Sequence, residues 1–184
     1  AVTGATTIDN EIHLDNLIST INNSADVTIS GAITGTGGLI KTGASTLTLT
    51  GTNVYQDTTT ITNGTLSVTG DANLGNSNDA IIFNGGNLTV TGATTIDNTV
   101  TLTSNATITN SADVTLSGVI SSTGTTTVTD GTLSVSADSN LGNTTGALTL
   151  NGGNLTVTGA TTIDNTVTLS SNATVTNSAD VTLS

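Results

Sequence analysis

The sequence predicts an all-β protein, a β-solenoid in which each coil takes about 20 residues and contributes three short strands. Three observations predict it: a nine-residue string that occurs three times, the loss of about one coil's length between its copies, and a composition rich in strand and turn residues. Residues 1–184 are expected to form a single solenoid segment.

The repeated string is Val-Thr-Gly-Ala-Thr-Thr-Ile-Asp-Asn, and it begins at Val2, Val90 and Val157. The first two copies start 88 positions apart, whereas the second and third start 67 apart. The chain divides into repeats near 1–88, 89–155 and 156–184. Because both ends fall within a repeat, we expect a window of a longer array, with any targeting or anchoring segment outside it.

The second repeat has lost a segment without losing register. Residues 30–33 match 117–120 at an offset of 87, and residues 64–68 match 131–135 at an offset of 67, so 20 residues (87 − 67) are missing between them. A compact domain rarely tolerates such a loss, because its core draws on the whole chain. A solenoid tolerates it, since removal of one coil leaves neighbours that stack on each other.

Composition favours a solenoid over a compact domain or a disordered chain. Thr accounts for 46 of the 184 residues, and its branched side chain favours strands, while the 21 Gly residues favour tight turns. Phe83 and Tyr55 are the only aromatic residues, so aliphatic side chains must fill a narrow interior. A hydrophobic content of 34% and a mean hydropathy of +0.16 argue against disorder.

Strands are predicted where aliphatic and polar residues alternate between turns that contain Gly or Asn. In strings such as Val167-Thr-Leu169, the two aliphatic side chains share a face and point into the bore, while Thr points to solvent. The strands predicted near the end of the chain cover residues 147–150, 155–157, 161–163, 166–169, 173–175 and 180–183. About nine coils spaced by about 4.8 Å predict a rod about 43 Å long.

The most distinctive stretch runs from Ser30 to Val68. It contains Gly-Thr-Gly-Gly-Leu at 35–39, Lys-Thr-Gly at 41–43, Thr-Leu-Thr-Leu at 46–49, Asn-Val-Tyr at 53–55 and Asn-Gly-Thr-Leu at 63–66. It resembles the autotransporter-associated β-strand repeat of passenger domains and large surface adhesins of Gram-negative bacteria, although residues 53–58 depart from that family's usual turn. The resemblance implies a right-handed parallel β-helix outside the cell, secreted or attached to the outer membrane, and implies no particular ligand.

The charge of the chain argues against two classes of partner. Thirteen acidic residues against the single base Lys41 give a net charge of −12. Nucleic acid binding needs Lys and Arg to displace counterions, and anionic membranes attract basic segments. We therefore expect no nucleic acid partner and no membrane insertion, since no apolar run approaches the roughly 20 residues that span a bilayer.

We expect no enzyme activity, and hence no catalytic or cofactor-binding residues. His13 is the only histidine, and a Ser-His-Asp arrangement cannot be built without it. The segment from Glu11 to Asp15 departs from its counterpart at 99–103 and is interpreted as an exposed loop variant, with a functional site as the weaker alternative. Lys41 is interpreted as a solvated edge charge.

Recurring Asp residues make a weak case for metal binding. The sets that share a repeat position are Asp9, Asp97 and Asp164; Asp26, Asp113 and Asp180; and Asp71 and Asp138. Members of a set lie several coils apart, and the Gly-Gly-x-Gly-x-Asp pattern of calcium-binding rolls is absent from the sequence. We predict no metal site, and expect these side chains to bind the backbone of turns.

Thr-x-Thr strings raise ice binding as an alternative function. They occur at residues 46–50, 101–103, 107–109 and 127–129. A flat array of Thr on one face of every coil can order water, but several strands in each coil carry Thr. This distribution favours a general outward-facing role over an ice-binding one.

The sequence as a whole predicts a structural segment, an extracellular β-helical stalk or fibre of a bacterial surface protein that displays or spaces an adhesive tip. Strand edges at the ends of a solenoid can pair with other strands. We therefore expect self-association end to end, or stacking on neighbouring repeats of the same protein, and predict no particular host target.

Overall fold

A computed structural model describes residues 4–15, 17–122, 124–142 and 144–184. Across them the chain winds into nine coils of parallel strands around one aliphatic interior, which confirms the predicted fold class. The first copy of the repeated string is described from Gly4 onward, so Val2 lies outside the described residues. The right-handed sense of the coil stays a prediction.

The coils stack so that their strands form three faces along the rod. Face 1 is one nine-stranded sheet of β1 (Thr6–Ile8), β4 (Val27–Ile29), β7 (Thr46–Leu49), β9 (Thr65–Val68), β11 (Asn87–Val90), β14 (Ala106–Asn110), β17 (Thr126–Val128), β19 (Ala147–Leu150) and β22 (Thr166–Leu169).

Faces 2 and 3 are each interrupted by a short 3₁₀ helix. Face 2 consists of β2 (Ile12–Leu14), β5 (Ile33–Gly35), the first 3₁₀ helix (Asp71–Asn73), β12 (Thr94–Ile96), β15 (Asp113–Leu116), β18 (Thr132–Val135), β20 (Asn154–Val157) and β23 (Val175–Asn177). Face 3 consists of β3 (Ser19–Asn22), β6 (Leu39–Thr42), β8 (Thr59–Ile61), β10 (Ile81–Phe83), β13 (Val100–Leu102), β16 (Ile120–Ser122), the second 3₁₀ helix (Asp138–Asn140), β21 (Thr161–Ile163) and β24 (Val181–Leu183).

Six of the nine described coils contain three strands, whereas the third, fourth and seventh contain two. The prediction of three strands in every coil is therefore wrong for these three. In the fourth coil, the side-chain oxygen of Asn73 accepts hydrogen bonds from the N–H groups of Thr69 and Gly70, which closes a tight turn where a strand would run. Asn140 does the same for Ser136 and Ala137 in the seventh coil.

The 3₁₀ helices also absorb extra residues. On face 1, Leu66 pairs with Leu47 in the preceding coil and with Leu88 in the following coil. The first helix lies between Leu66 and Leu88, and this interval contains more residues than the one between Leu47 and Leu66. The step from Val128 to Leu150, which crosses the second helix, is as long as that from Leu66 to Leu88. The register of face 1 is therefore kept while the length of a coil varies.

Three strands near the end of the chain differ slightly from the prediction, and the one predicted at 155–157 begins at Asn154. The strand predicted at 173–175 lies at Val175–Asn177, because pairing with β20 places Val175 opposite Leu155 and the N–H of Thr174 donates to the side chain of Asn154. The strand predicted at 180–183 begins at Val181.

The interior consists of aliphatic rows that continue from coil to coil. One row on face 1 contains Val27, Leu47, Leu66, Leu88, Ile108 and Val128. All six side chains are buried. The two aromatic residues, Tyr55 and Phe83, are also fully buried, and the Tyr55 hydroxyl lies 2.5 Å from that of Thr59. Gly75 is required beside this ring, since a Cβ there would lie 2.6 Å from Tyr55 and its φ is +88°.

The sequence repeat turns around the rod as it advances. The Thr-Thr-Ile strands of the three repeated strings are β1 on face 1, β12 on face 2 and β21 on face 3. The longer interval between strings thus spans four coils plus one face, and the shorter interval spans three coils plus one face. The segment missing from the second repeat is one coil, as predicted. Equivalent residues nevertheless lie on different faces, an arrangement that the repeat alone does not predict.

Deletion of residues 39–58 should remove one coil in register, because Thr59 then takes the position of Leu39, its in-register partner. Strand content and cooperative unfolding should persist, with a loss of about one coil's share of stability. Deletion of about half a coil, Thr42 to Gly51, should destabilise more, since inward aliphatics lose their partners. Thermal unfolding followed by circular dichroism compares both variants with the parent; equal stability of the two variants would contradict the coil length.

Candidate functional site

His13 lies in a polar cluster on the outer surface of face 2. Its Nδ1 is 2.9 Å from the Thr34 hydroxyl, and its Nε2 is 3.2 Å from a carboxylate oxygen of Asp15. The Thr34 hydroxyl in turn donates to Glu11 at 2.8 Å. This segment is not the predicted exposed loop, because β2 pairs in register with β5 and aligns His13 with Thr34.

The cluster contains a hydroxyl, an imidazole and a carboxylate, but their arrangement does not activate a nucleophile. Because Thr34 donates its proton to Glu11, its oxygen accepts from His13 and is not deprotonated by it. The side chains of His13 and Asp15 are 62% and 91% exposed, so water screens their interaction. The cluster is best described as a surface hydrogen-bond network that links the first two coils.

Lys41 is fully buried, and its interpretation as a solvated edge charge is wrong. It occupies an inward position of β6 between Ile21 and Ile61. Its ammonium donates to the backbone carbonyls of Thr42 and Gly43 at 2.8 Å and of Asn63 at 3.1 Å. Burial lowers the pKa of Lys41 to about 8. The three carbonyls make Lys41 a cross-link at a corner of the rod, out of reach of a ligand.

Acidic residues from different repeat positions meet in pairs. Burial, followed by the charge of Asp97, raises the pKa of Asp71. Burial likewise raises the pKa of Asp138, whose carboxylate accepts a hydrogen bond from the N–H of Asp164 at 3.3 Å. Asp138 and Asp164 are the repeat counterparts of Asp71 and Asp97. Comparison of equivalent positions in the sequence misses both pairs.

Other Asp side chains bind backbone N–H groups, in a turn as predicted for Asp130, but across to strand β7 of the next coil for Asp26. Oδ1 of Asp26 accepts from the N–H of Thr46, and Oδ1 of Asp130 from that of Gly131, both at 2.8 Å. Among the described residues, no group of three or more His, Asp or Glu side chains is arranged to hold a metal ion.

The Thr-x-Thr strings do not distribute evenly over the faces. Those that begin at Thr46, Thr107 and Thr127 all lie on face 1, while the string at Thr101 lies on face 3. Face 2 carries a shorter row of Thr95, Thr115, Ser134, Thr156 and Thr176. Thr is thus present on several strands of a coil, as the sequence indicated, but the paired strings concentrate on one face.

Two repeat families match the chain. The passenger-associated-transport-repeat matches residues 39–68, within the stretch that resembles the autotransporter repeat, and confirms that resemblance. The haemagglutinin repeat matches residues 61–130 and 128–184, which together make up more than half of the chain. The chain belongs to the haemagglutinin repeat family. No curated protein and no solved structure matches it.

Both families suggest that this haemagglutinin-repeat chain is part of a secreted or cell-surface protein. Repeats of these families in a β-solenoid fit an adhesin-like structural segment. In the part of the chain that the structure describes, no helix has the length and apolar character needed to cross a membrane.

Asn residues at corners of the solenoid are structural features that the sequence patterns above did not single out. Asn23 and Asn110 are fully buried, and each donates its side-chain amide to the carbonyl of the Ala two residues later, at 2.9 and 3.0 Å. Asn177 makes the same bond at 3.0 Å. The string Asn-Ser-Ala-Asp, which recurs at 23–26, 110–113 and 177–180, is the signal that could have found them.

The folded chain should become more stable as pH rises from about 8 to about 10. The pKa of Lys41 is about 8 in the folded chain against 10.5 ordinarily, so the unfolded chain binds more protons in this range. The free energy of unfolding should increase by up to roughly 2–3 kcal/mol over this range. Above this range, the raised pKa of Tyr55, about 12, acts in the opposite direction. Urea unfolding at several pH values measures how the free energy of unfolding changes with pH. Lys41→Met should abolish the increase between about pH 8 and about pH 10. An unchanged increase in this variant would contradict its assignment to Lys41.

Asp97→Asn should stabilise the chain at pH 7, by roughly 0.5–1 kcal/mol, because it removes a like charge beside Asp71. A raised pKa means that the folded state loses stability as pH rises through it, so the gain should disappear in acid, where Asp71 is protonated. Asp113→Asn, which changes the net charge equally, is the control. Equal effects of the two substitutions at both pH values would show that only net charge matters.

Proposed function

We propose that this haemagglutinin-repeat chain is a rigid spacer, a stalk or fibre segment of a bacterial surface protein that holds an adhesive tip away from the cell. The observation that carries the proposal is face 1, whose nine strands pair without interruption from β1 to β22. A continuous parallel sheet resists bending and extension, since every coil is hydrogen-bonded to the next. Attachment to the outer membrane is part of the proposal and is supported by the passenger-type repeat.

The surface chemistry supports a scaffold in preference to a catalyst or a binding cleft. The His13 cluster is exposed and lacks an activated hydroxyl, and Lys41, the single Lys or Arg of the chain, is buried. We therefore propose no enzymatic role and no nucleic acid partner. Ice binding is compatible with a spacer, because it would use one face and leave the length of the rod unchanged.

The partners that fit the spacer best are other coils of the same kind. The first coil lines an apolar cavity of about 190 Å³ with Ile8, Ile12 and Ile21 among its walls. A neighbouring coil, from the same protein or from another copy, would cover these side chains and pair with β1, β2 and β3. End-to-end association therefore belongs to the proposal.

The spacer role is tested by separating reach from adhesion. The purified chain should scatter X-rays as a rod and should neither agglutinate erythrocytes nor bind host-cell surfaces saturably. In the surface protein that contains it, deletion of residues 39–58 should shorten the projection measured by atomic force microscopy by about 4.8 Å, one coil spacing, without weakening adhesion. Saturable binding by the isolated chain would instead assign adhesion to the repeats themselves.

A further inference from the structure

We propose that face 1 binds ice through two parallel rows of Thr side chains, a property that goes beyond the spacer role and does not depend on it. The outer positions of five consecutive coils carry Thr46 and Thr48, Thr65 and Ser67, Asn87 and Thr89, Thr107 and Thr109, and Thr127 and Thr129. Nine of these ten side chains bear a hydroxyl. All ten are partly exposed on the outer surface of the rod.

The two rows are held in register by the sheet. Row A pairs Thr46 with Thr65 and continues through Asn87, Thr107 and Thr127 to Thr149 and Thr168. Row B pairs Thr7, Thr28, Thr48, Ser67, Thr89 and Thr109. The Thr129 hydroxyl extends row B by donating to that of Thr109 at 2.8 Å. Each row therefore spans at least six coils without a gap in the pairing.

The spacing of the rows makes a regular two-dimensional lattice. Neighbouring residues in a row are about 4.8 Å apart along the rod, and the rows are about 6.6 Å apart, two residues along a parallel strand; the hydroxyls of Thr109 and Thr129 approach each other to 2.8 Å. This lattice is close to the repeat of oxygen positions on surfaces of hexagonal ice. Hydroxyls can replace water in the ice layer, while the adjacent methyl groups favour ordered water around them.

Rigidity and the absence of charge within its strands separate face 1 from a merely polar surface. Thr has few accessible rotamers, so little entropy is lost when its hydroxyl is fixed against ice. None of the described strands of face 1 contains an Asp, Glu, Lys or His, and the exposed Asp26 lies beside Thr46 at the end of row A. Charged groups would retain their own hydration shells and disturb an ice-like layer.

The other two faces carry less of this lattice. On face 3 the outer row alternates between Thr20, Ile40, Thr60, Ile82 and Thr101, so hydroxyls are separated by two coils. Face 2 carries the same outward pairs over three coils only, as Thr132 and Ser134, Asn154 and Thr156, and Thr174 and Thr176, and the row of Thr132 begins with the acidic Asp113. The ice-binding surface is therefore assigned to face 1, which carries the longest array, and a matched control exists on face 3.

The test is inhibition of ice recrystallisation by the purified chain, with Thr127→Lys on face 1 and Thr101→Lys on face 3. Thr127 and Thr101 are both mid-strand, outward and partly exposed, so the substitutions match in chemistry and in expected stability. The parent should inhibit recrystallisation at micromolar concentration. Thr127→Lys should raise the concentration needed by about tenfold or more, and Thr101→Lys should leave it unchanged.

Circular dichroism of each variant confirms that the strands are retained, and Thr65→Lys in row A replaces Thr127→Lys if the latter fails to fold. Ice crystals grown in a solution of the fluorescently labelled protein should incorporate the parent chain and exclude the face 1 variant. No inhibition by the folded parent, or equal loss in the two Lys variants, would overturn the assignment. Either result leaves the spacer role intact, because that role is measured by length and adhesion.

Discussion

Main-chain hydrogen bonding between neighbouring coils is the constraint on which the rest of this structure depends. Every described strand pairs with strands one coil away in the chain, and no sheet among the described residues pairs two strands of the same coil. A single coil therefore satisfies few of its own backbone groups and buries its aliphatics only when another coil covers them. The length of a coil, the aliphatic rows and the exposed Thr rows all follow from keeping this register.

The same constraint explains how one repeat can serve three faces. Each face can hold the same short strand, and the string Thr-Thr-Ile, with its Ile turned inward, is accommodated on β1, β12 and β21 alike. A repeat need not equal a whole number of coils, provided that it ends one face further on. Loss of one coil's length is tolerated for the same reason, since it removes a complete circuit and leaves the next strand on the face it would have occupied.

The sequence predicted the fold and most strands because alternation is local. The strands at 147–150, 161–163 and 166–169 lie where alternation placed them. The prediction that Lys41 is exposed was wrong because Leu39 and Ile40 are both aliphatic, so alternation alone does not say which of them faces inward. The register of Lys41 with Ile21 and Ile61 shows that Lys41 faces inward. The carboxylate pair of Asp71 and Asp97 could not be predicted, because its members meet only after the chain has turned from one coil to the next. The partner of His13, Thr34, is likewise known only once the register of β2 with β5 fixes the length of the first coil.

The central claim, that coils stack in this register and that the repeat turns around three faces, is tested most directly by cysteine cross-linking in a chain with no cysteine of its own. Ser134 lies beside Thr115 on face 2, although its repeat counterpart, Ser67, lies on face 1. Parallel neighbours about 4.8 Å apart are within reach of a disulfide. Thr115→Cys with Ser134→Cys should therefore oxidise to an intramolecular disulfide in the folded chain, while Thr109→Cys with Ser134→Cys should not. A disulfide in the second pair, or none in the first, would contradict the stacking.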